Sequence, residues 1–142
     1  MAILLHNPYV AIDDAAFPLV RVTFGDGEPT DAEFDAYLNT LLSLSERQQP
    51  HVLLINAEKA KFLRAELRIR QGEWLKKYDV LIRTYLLGCA FYVPAAIAKI
   101  MLKAIFLVQK PAFAYVVSDR VEEAEAWATA RLTVQPAVLA RG

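Results

Sequence analysis

The side chains able to do chemistry are few and far apart. His6, His51 and Cys89 are the only imidazoles and thiol in the 142 residues. A structural zinc site wants about four such ligands at short spacing, so neither a metal nor another cofactor is expected. Cys89 sits in an apolar run, where a small packing residue is expected rather than a thiolate nucleophile. As the lone cysteine it also excludes a disulfide framework and fits a reducing compartment. A Ser-His-Asp arrangement would have to use Ser43, Ser45 or Ser118. The first two fall inside a helical pattern, and nothing resembles a nucleophile elbow. Gly25 and Gly27 are followed by Glu28-Pro29, without the later glycine or lysine of a phosphate loop. Asp13-Asp14 is read as a solvated turn or bulge in preference to a cation site. Glu58 follows an expected parallel strand, where α/β proteins tend to bind ligands, but no histidine or metal set accompanies it. The chain is therefore not expected to be an enzyme.

What remains is a surface. The net charge is zero, yet residues 1–60 carry three Lys/Arg against nine Asp/Glu, and residues 61–110 carry ten against three. Either opposite faces of one domain neutralise each other, or the basic half meets an anionic partner. Nucleic acid is not expected, since a binder of that kind is basic overall. The candidate contact residues are Asn56 and Glu58 after the central strand, Lys61, Arg64 and Arg68 on one helix face, and Lys99 and Lys103 on another.

The elements that must position them follow from periodicity. One strand is expected over Tyr9–Phe17 and a second over Leu19–Phe24, where Leu19, Arg21 and Thr23 alternate with Val20, Val22 and Phe24. Thr30-Asp31-Ala32-Glu33 reads as a capping box opening a helix that carries Phe34, Tyr37, Leu38, Leu41, Leu42 and Ser45. Gln48-Gln49-Pro50 stops it. His51–Asn56 is a continuous apolar strand, and one long helix is expected over Ala60–Tyr85, weakened at Gly72 or Asp79. Its stripe of Leu63, Leu67, Trp74, Tyr78, Leu81 and Tyr85 is read as core, with Lys61, Arg64 and Arg68 on a separate face. Leu86–Val93 is a strand, Pro94 opens a helix over Ala95–Val108 that is apolar on nearly every side, and Phe113–Val117 is the last strand. Asp119 and Glu122 are expected to cap a final helix through about Leu132.

The order is ββαβαβαβα. It predicts an α/β fold with a mixed, mostly parallel five-stranded sheet flanked by helices. One domain is expected over residues 1–132, with 133–142 as a tail. The first residues lack a basic n-region and a long apolar run, so a signal peptide is not expected, and a cytoplasmic location is.

This succession resembles the STAS family (sulfate transporter and anti-sigma-factor antagonist), in its SpoIIAA-like branch, which is related in fold to the CRAL-TRIO lipid-binding family. The resemblance spans Val10 to Leu132 and is carried by His51–Asn56, by Gly88–Val93 before a helix, and by Glu123-Ala124-Glu125-Ala126-Trp127. It implies a module that binds and does not catalyse. Regulatory members carry a phosphorylatable Ser or Thr after the central strand. Here the stretch reads Asn56-Ala57-Glu58-Lys59-Ala60-Lys61, and no hydroxyl residue occurs between Ser45 and Tyr78. A phosphorylation switch at that position is not expected.

Two functions follow as expectations. The first is a protein-interaction module binding a protein partner or itself as a homo-oligomer, because the helix 95–108 carries more apolar surface than one buried stripe needs. The second is binding of a small hydrophobic ligand or an anionic lipid surface through that helix, with Lys99 and Lys103 beside it. Pro94, Lys99 and Lys103 interrupt the apolar run, so it is not expected to span a membrane.

Overall fold

The computed structural model describes residues 3–60, 63–108, 110–111 and 113–134. These form an α/β sandwich on a six-stranded mixed sheet, and the strands lie side by side in chain order. β1 (Ile3–His6), β2 (Val10–Asp13) and β3 (Leu19–Phe24) make an antiparallel meander. β4 (His51–Asn56), β5 (Leu86–Tyr92) and β6 (Tyr115–Ser118) extend it in parallel.

The class is as expected, with six strands instead of five. The added one is β1, which follows from a turn: the Asn7 side chain accepts from the backbone N–H of Tyr9 and Val10, both at 2.9 Å. An Asx turn of this kind reverses the chain and pairs Ile3–His6 with β2. The expected strand over Tyr9–Phe17 stops at Asp13. There Asp13 Oδ1 accepts from Ala15 N–H at 2.7 Å, and Phe17 N–H donates to the Asp14 carbonyl at 2.9 Å, so the chain turns.

α1 (Asp31–Glu46) opens with the expected capping box. Thr30 Oγ1 accepts from Glu33 N–H, and Glu33 Oε1 accepts from Thr30 N–H. The long helix expected over Ala60–Tyr85 is instead two, α2 (Ala65–Lys77) and α3 (Asp79–Tyr85). Residues 57–60 are spent on a turn closed by Ala60 N–H to the Ala57 carbonyl, and Arg64 is held extended (φ −64°, ψ 156°). Its guanidinium donates to the Pro29 carbonyl and to Asp31, which anchors the entry to α2 against the start of α1. The break falls at Tyr78 (φ −105°, ψ 19°), beside Asp79, and Gly72 passes through α2 unmarked.

α4 (Ala96–Val108) begins one residue later than expected, and β6 two residues later. α5 (Val121–Arg131) is not capped by Asp119 or Glu122. Ser118 Oγ accepts from Arg120 N–H at 3.0 Å and takes that place in the turn. Of the expected tail, residues 135–142 lie outside the described ones.

Parallel strands in sequential order, joined by right-handed crossovers, must put every connection on the same face. α1, α2, α3 and α4 accordingly share one side of the sheet. Phe34, Tyr37, Leu38, Leu44, Leu67 and Ile82 pack there on Val20, Val22, Leu53, Ile55 and Cys89. α5 follows the last strand and is free to cross over. It seals the other side of β4 and β5 with Ala124, Ala128 and Trp127. Over β3 it reaches only Leu19 and, through Glu125 at 4.0 Å, Arg21, so Arg21 and Thr23 stay exposed opposite the buried Val20 and Val22. That gives the alternation read in the sequence.

α1 and α2 are also joined by charge. Arg64 pairs with Asp31 and Arg70 with Asp35, so the acidic first part of the chain and the basic middle part meet across this seam. All four side chains are at least a third exposed, which keeps each pair's contribution to about 0–1 kcal/mol.

A candidate ligand cavity beneath helix α4

α4 has no fully buried residue among those described. Its inner side, Ala98, Leu102, Ile105 and Phe106, faces the sheet at partial burial. Its outer side puts Ile100 (65 % exposed) and Leu107 (88 %) into solvent, and Ile97, equally exposed, stands at the rim of the space beneath the helix. The helix therefore does not close onto the sheet. Between it and α1–α2 lies a chamber of about 340 Å³. Small-molecule sites run from about 300 to 1,000 Å³, so this one lies at the small end.

Each wall of the chamber has an identifiable origin. Tyr9 before β2, Phe24 at the end of β3 and Tyr37 on α1 form an aromatic cluster with ring centroids 5.3–5.7 Å apart. Phe91, near the end of β5, forms the floor and meets Phe106 of α4 edge-on at 5.6 Å. Leu63, Arg68 and Gln71 come from the α2 side. The chamber therefore opens toward the carboxyl ends of the parallel strands, where ligands of open α/β sheets collect.

A second, smaller chamber of about 90 Å³ adjoins it. Tyr37, Gln71, Phe91, Leu102 and Ile105 line both. The inner one reaches His51 and Leu86, the first residues of β4 and β5, and includes Trp74, Ser45 and Cys89. The inner chamber follows β4 from His51 to Ile55, four residues of strand or roughly 13 Å.

The polar groups on these walls are sparse. Tyr9 and Tyr37 are neutral phenols whose pKa burial pushes up, for Tyr37 with smaller contributions from Tyr9 and Cys89. Burial also raises the Cys89 thiol, so it is a neutral packing group, as expected. His51 is held below its ordinary pKa by burial and, to a lesser degree, by Arg47, against the opposing pull of its bond to the Gln49 carbonyl. That bond, from Nδ1 at 2.9 Å, is made by the neutral imidazole donating, which leaves Nε2 as an acceptor. Trp74 Nε1 is buried and meets no acceptor among the described residues. An indole N–H left so costs about 1–3 kcal/mol.

The sequence-derived candidate residues divide among three places. Arg68 lines the larger chamber, half buried, and is not on a face apart from the apolar stripe. Asn56 and Glu58 lie beside a separate, more polar groove of about 310 Å³ with His6, Gly25 and Lys59, and Asn56 Oδ1 accepts from Glu58 N–H at 3.0 Å. Lys99 and Lys103 flank the outer row of α4, Lys99 half buried and Lys103 exposed. Arg64 is engaged with Pro29, Asp31 and Glu66. Lys61 lies outside the described residues.

Asp14, read from the sequence as part of a solvated turn, is instead 3 % exposed and paired with Arg47 at 2.9 Å. Sequence reasoning missed Gln71; Trp74, read as core, packs against the core at partial burial and also lines the inner chamber. Gln71 is a polar residue in an apolar stripe, three before Trp74, and that spacing was the available signal.

Among the described residues no group of three potential metal ligands converges, and no helix is long and apolar enough to cross a membrane. The chain matches no protein-family model, no curated protein and no solved structure.

Proposed function

We propose that this protein binds a small, mostly apolar molecule in the chamber beneath α4. The observation that carries the reading is the chamber itself: an aromatic and aliphatic enclosure at the carboxyl ends of the parallel strands, roofed by a helix that is not buried. Apolar area removed from water supplies the affinity, at about 25 cal/mol per Å² before the cost of association. Calorimetric titration with dodecanol should give saturable, near-stoichiometric uptake. Ala98→Trp, which fills the chamber from α4, should weaken it by tenfold or more. Absence of any saturable uptake of amphiphiles by the wild-type protein would sink this reading.

A second reading rests on a different observation, the outer face of α4. Ile100 and Leu107 form an exposed apolar pair with Lys103 at its border. Such a pair suits a STAS-like interaction module that self-associates or meets a protein partner. The sequential order of the parallel strands, with all crossovers on one face, supports that resemblance. Under this reading Ile100→Glu with Leu107→Glu should shift the protein toward monomer in light scattering. A wild-type protein that is strictly monomeric at high concentration counts against self-association.

A further inference from the structure

We infer that the ligand of the α4 chamber is an amphipathic monocarboxylate, held by its head group on Arg68 and Gln71 with its chain running inward toward Trp74. The inference rests on the cavity reading above and adds the chemistry of the occupant. Arg64, Arg68 and Arg70 lie close together, and their surroundings set them apart. Arg64 is paired with Asp31 and Arg70 with Asp35, whereas Arg68 has no carboxylate partner among the described residues. It is nonetheless half buried, and among the described residues it is the one charged side chain on an otherwise mostly apolar wall. A guanidinium keeps its charge at any physiological pH and presents a planar fork that matches a carboxylate with two parallel bonds.

Gln71 stands one helical turn further along, lines both chambers, and makes no hydrogen bond among the described residues. Trp74 follows after another three residues, with its buried Nε1 lacking an acceptor. Positions three apart on a helix share a face, so α2 turns to the cavity a row of three donor side chains without an acceptor among the described residues. Six residues of helix place the indole roughly 9 Å inward from Arg68. The donors call for a ligand that brings acceptor oxygens, and the lone cation calls for a single negative charge. A phosphate dianion would leave one charge uncompensated against apolar walls.

The test compares dodecanoate, dodecanol and dodecyl phosphate by calorimetry on the full chain, with Arg68→Gln as the variant. Dodecanoate should bind about 10- to 100-fold more tightly than dodecanol, the advantage of a charge-assisted over a neutral contact. Arg68→Gln should bring dodecanoate down to the level of the alcohol, and an unchanged thermal melt of the variant reports an intact fold. Equal affinity for acid and alcohol in the wild type overturns the head-group assignment but leaves the cavity reading standing. A preference for the phosphate overturns the choice of carboxylate. Failure of all three to bind removes the cavity reading itself.

Discussion

Arg47→Ala should destabilise the protein by about 3 kcal/mol, at the lower end of what breaking a buried ion pair costs. The loss is larger than a surface arginine suggests because of what it touches. Asp14 is 3 % exposed, and its Oδ2 is held at 2.9 Å by the Arg47 guanidinium. The same guanidinium lies over the Phe17 ring at 4.9 Å, so the cation is fixed in place between two elements. Removing it takes a charge-assisted partner from an almost fully buried carboxylate. Arg47 is itself 32 % exposed, and water entering its place keeps the cost at the low end. Urea unfolding of Arg47→Ala, Asp14→Asn and the double variant measures the coupling. The double variant should be more stable than Arg47→Ala alone, because a carboxamide needs no counter-charge. Single and double variants all within about 0.5 kcal/mol of wild type would show that the pair contributes nothing.

Gly88→Val should cost about 2–3 kcal/mol, and Trp127→Leu should recover part of that loss. A side chain at Gly88 would meet the Trp127 ring at 2.6 and 3.0 Å and the Ala114 carbonyl at 3.2 Å. The glycine is needed because α5 lies flat on β5 at this point. Its neighbour explains why α5 lies there. The β4–β5 register slips at Leu87, where His51–Val52 faces Leu86 and Gly88. The Leu87 carbonyl instead accepts from Arg131 Nε at 3.0 Å and from a second guanidinium nitrogen at 2.6 Å. That contact from the last turn of α5 fixes the helix, and the indole of Trp127 then fills the space above Gly88. Because the ring can shift and the backbone carbonyl cannot, the paired Trp127→Leu change should restore some but not all of the stability. A thermal melt in which Gly88→Val matches the wild type would mean that α5 does not seat as described.

These two sites show what local sequence patterns can and cannot convey. Asp13-Asp14 looked like a solvated turn because two adjacent acids most often are. One partner of Asp14, Arg47, sits 33 residues away at the end of α1. Gly88 falls within the strand expected over Leu86–Val93, and nothing local marks it out. Its reason is a tryptophan 39 positions downstream on the opposite layer. Local patterns were sound where one element's own geometry decides: the Thr30–Glu33 box, the alternation of Leu19–Phe24 and the stop at Gln48-Gln49-Pro50 each depend on residues within a few positions. They failed where a side chain reached elsewhere, as at the start of α2, which Arg64 sets through Pro29 and Asp31.

By itself, the order of strand and helix patterns determined the class of fold, since parallel strands need crossovers and right-handed crossovers need one face. It also marked the helix 95–108 as unusual, apolar on more sides than a single core can use. Whether that surplus is buried, exposed or hollow underneath was decided only by tertiary packing. A stripe records which residues avoid water but not how far two layers stand apart. The space between α4 and the sheet is walled by Tyr9, Phe24, Tyr37 and Phe91, four rings drawn from four separate stretches of the chain. Their meeting in space makes the cavity and turns Arg68 from one basic residue among several into the charge at its wall.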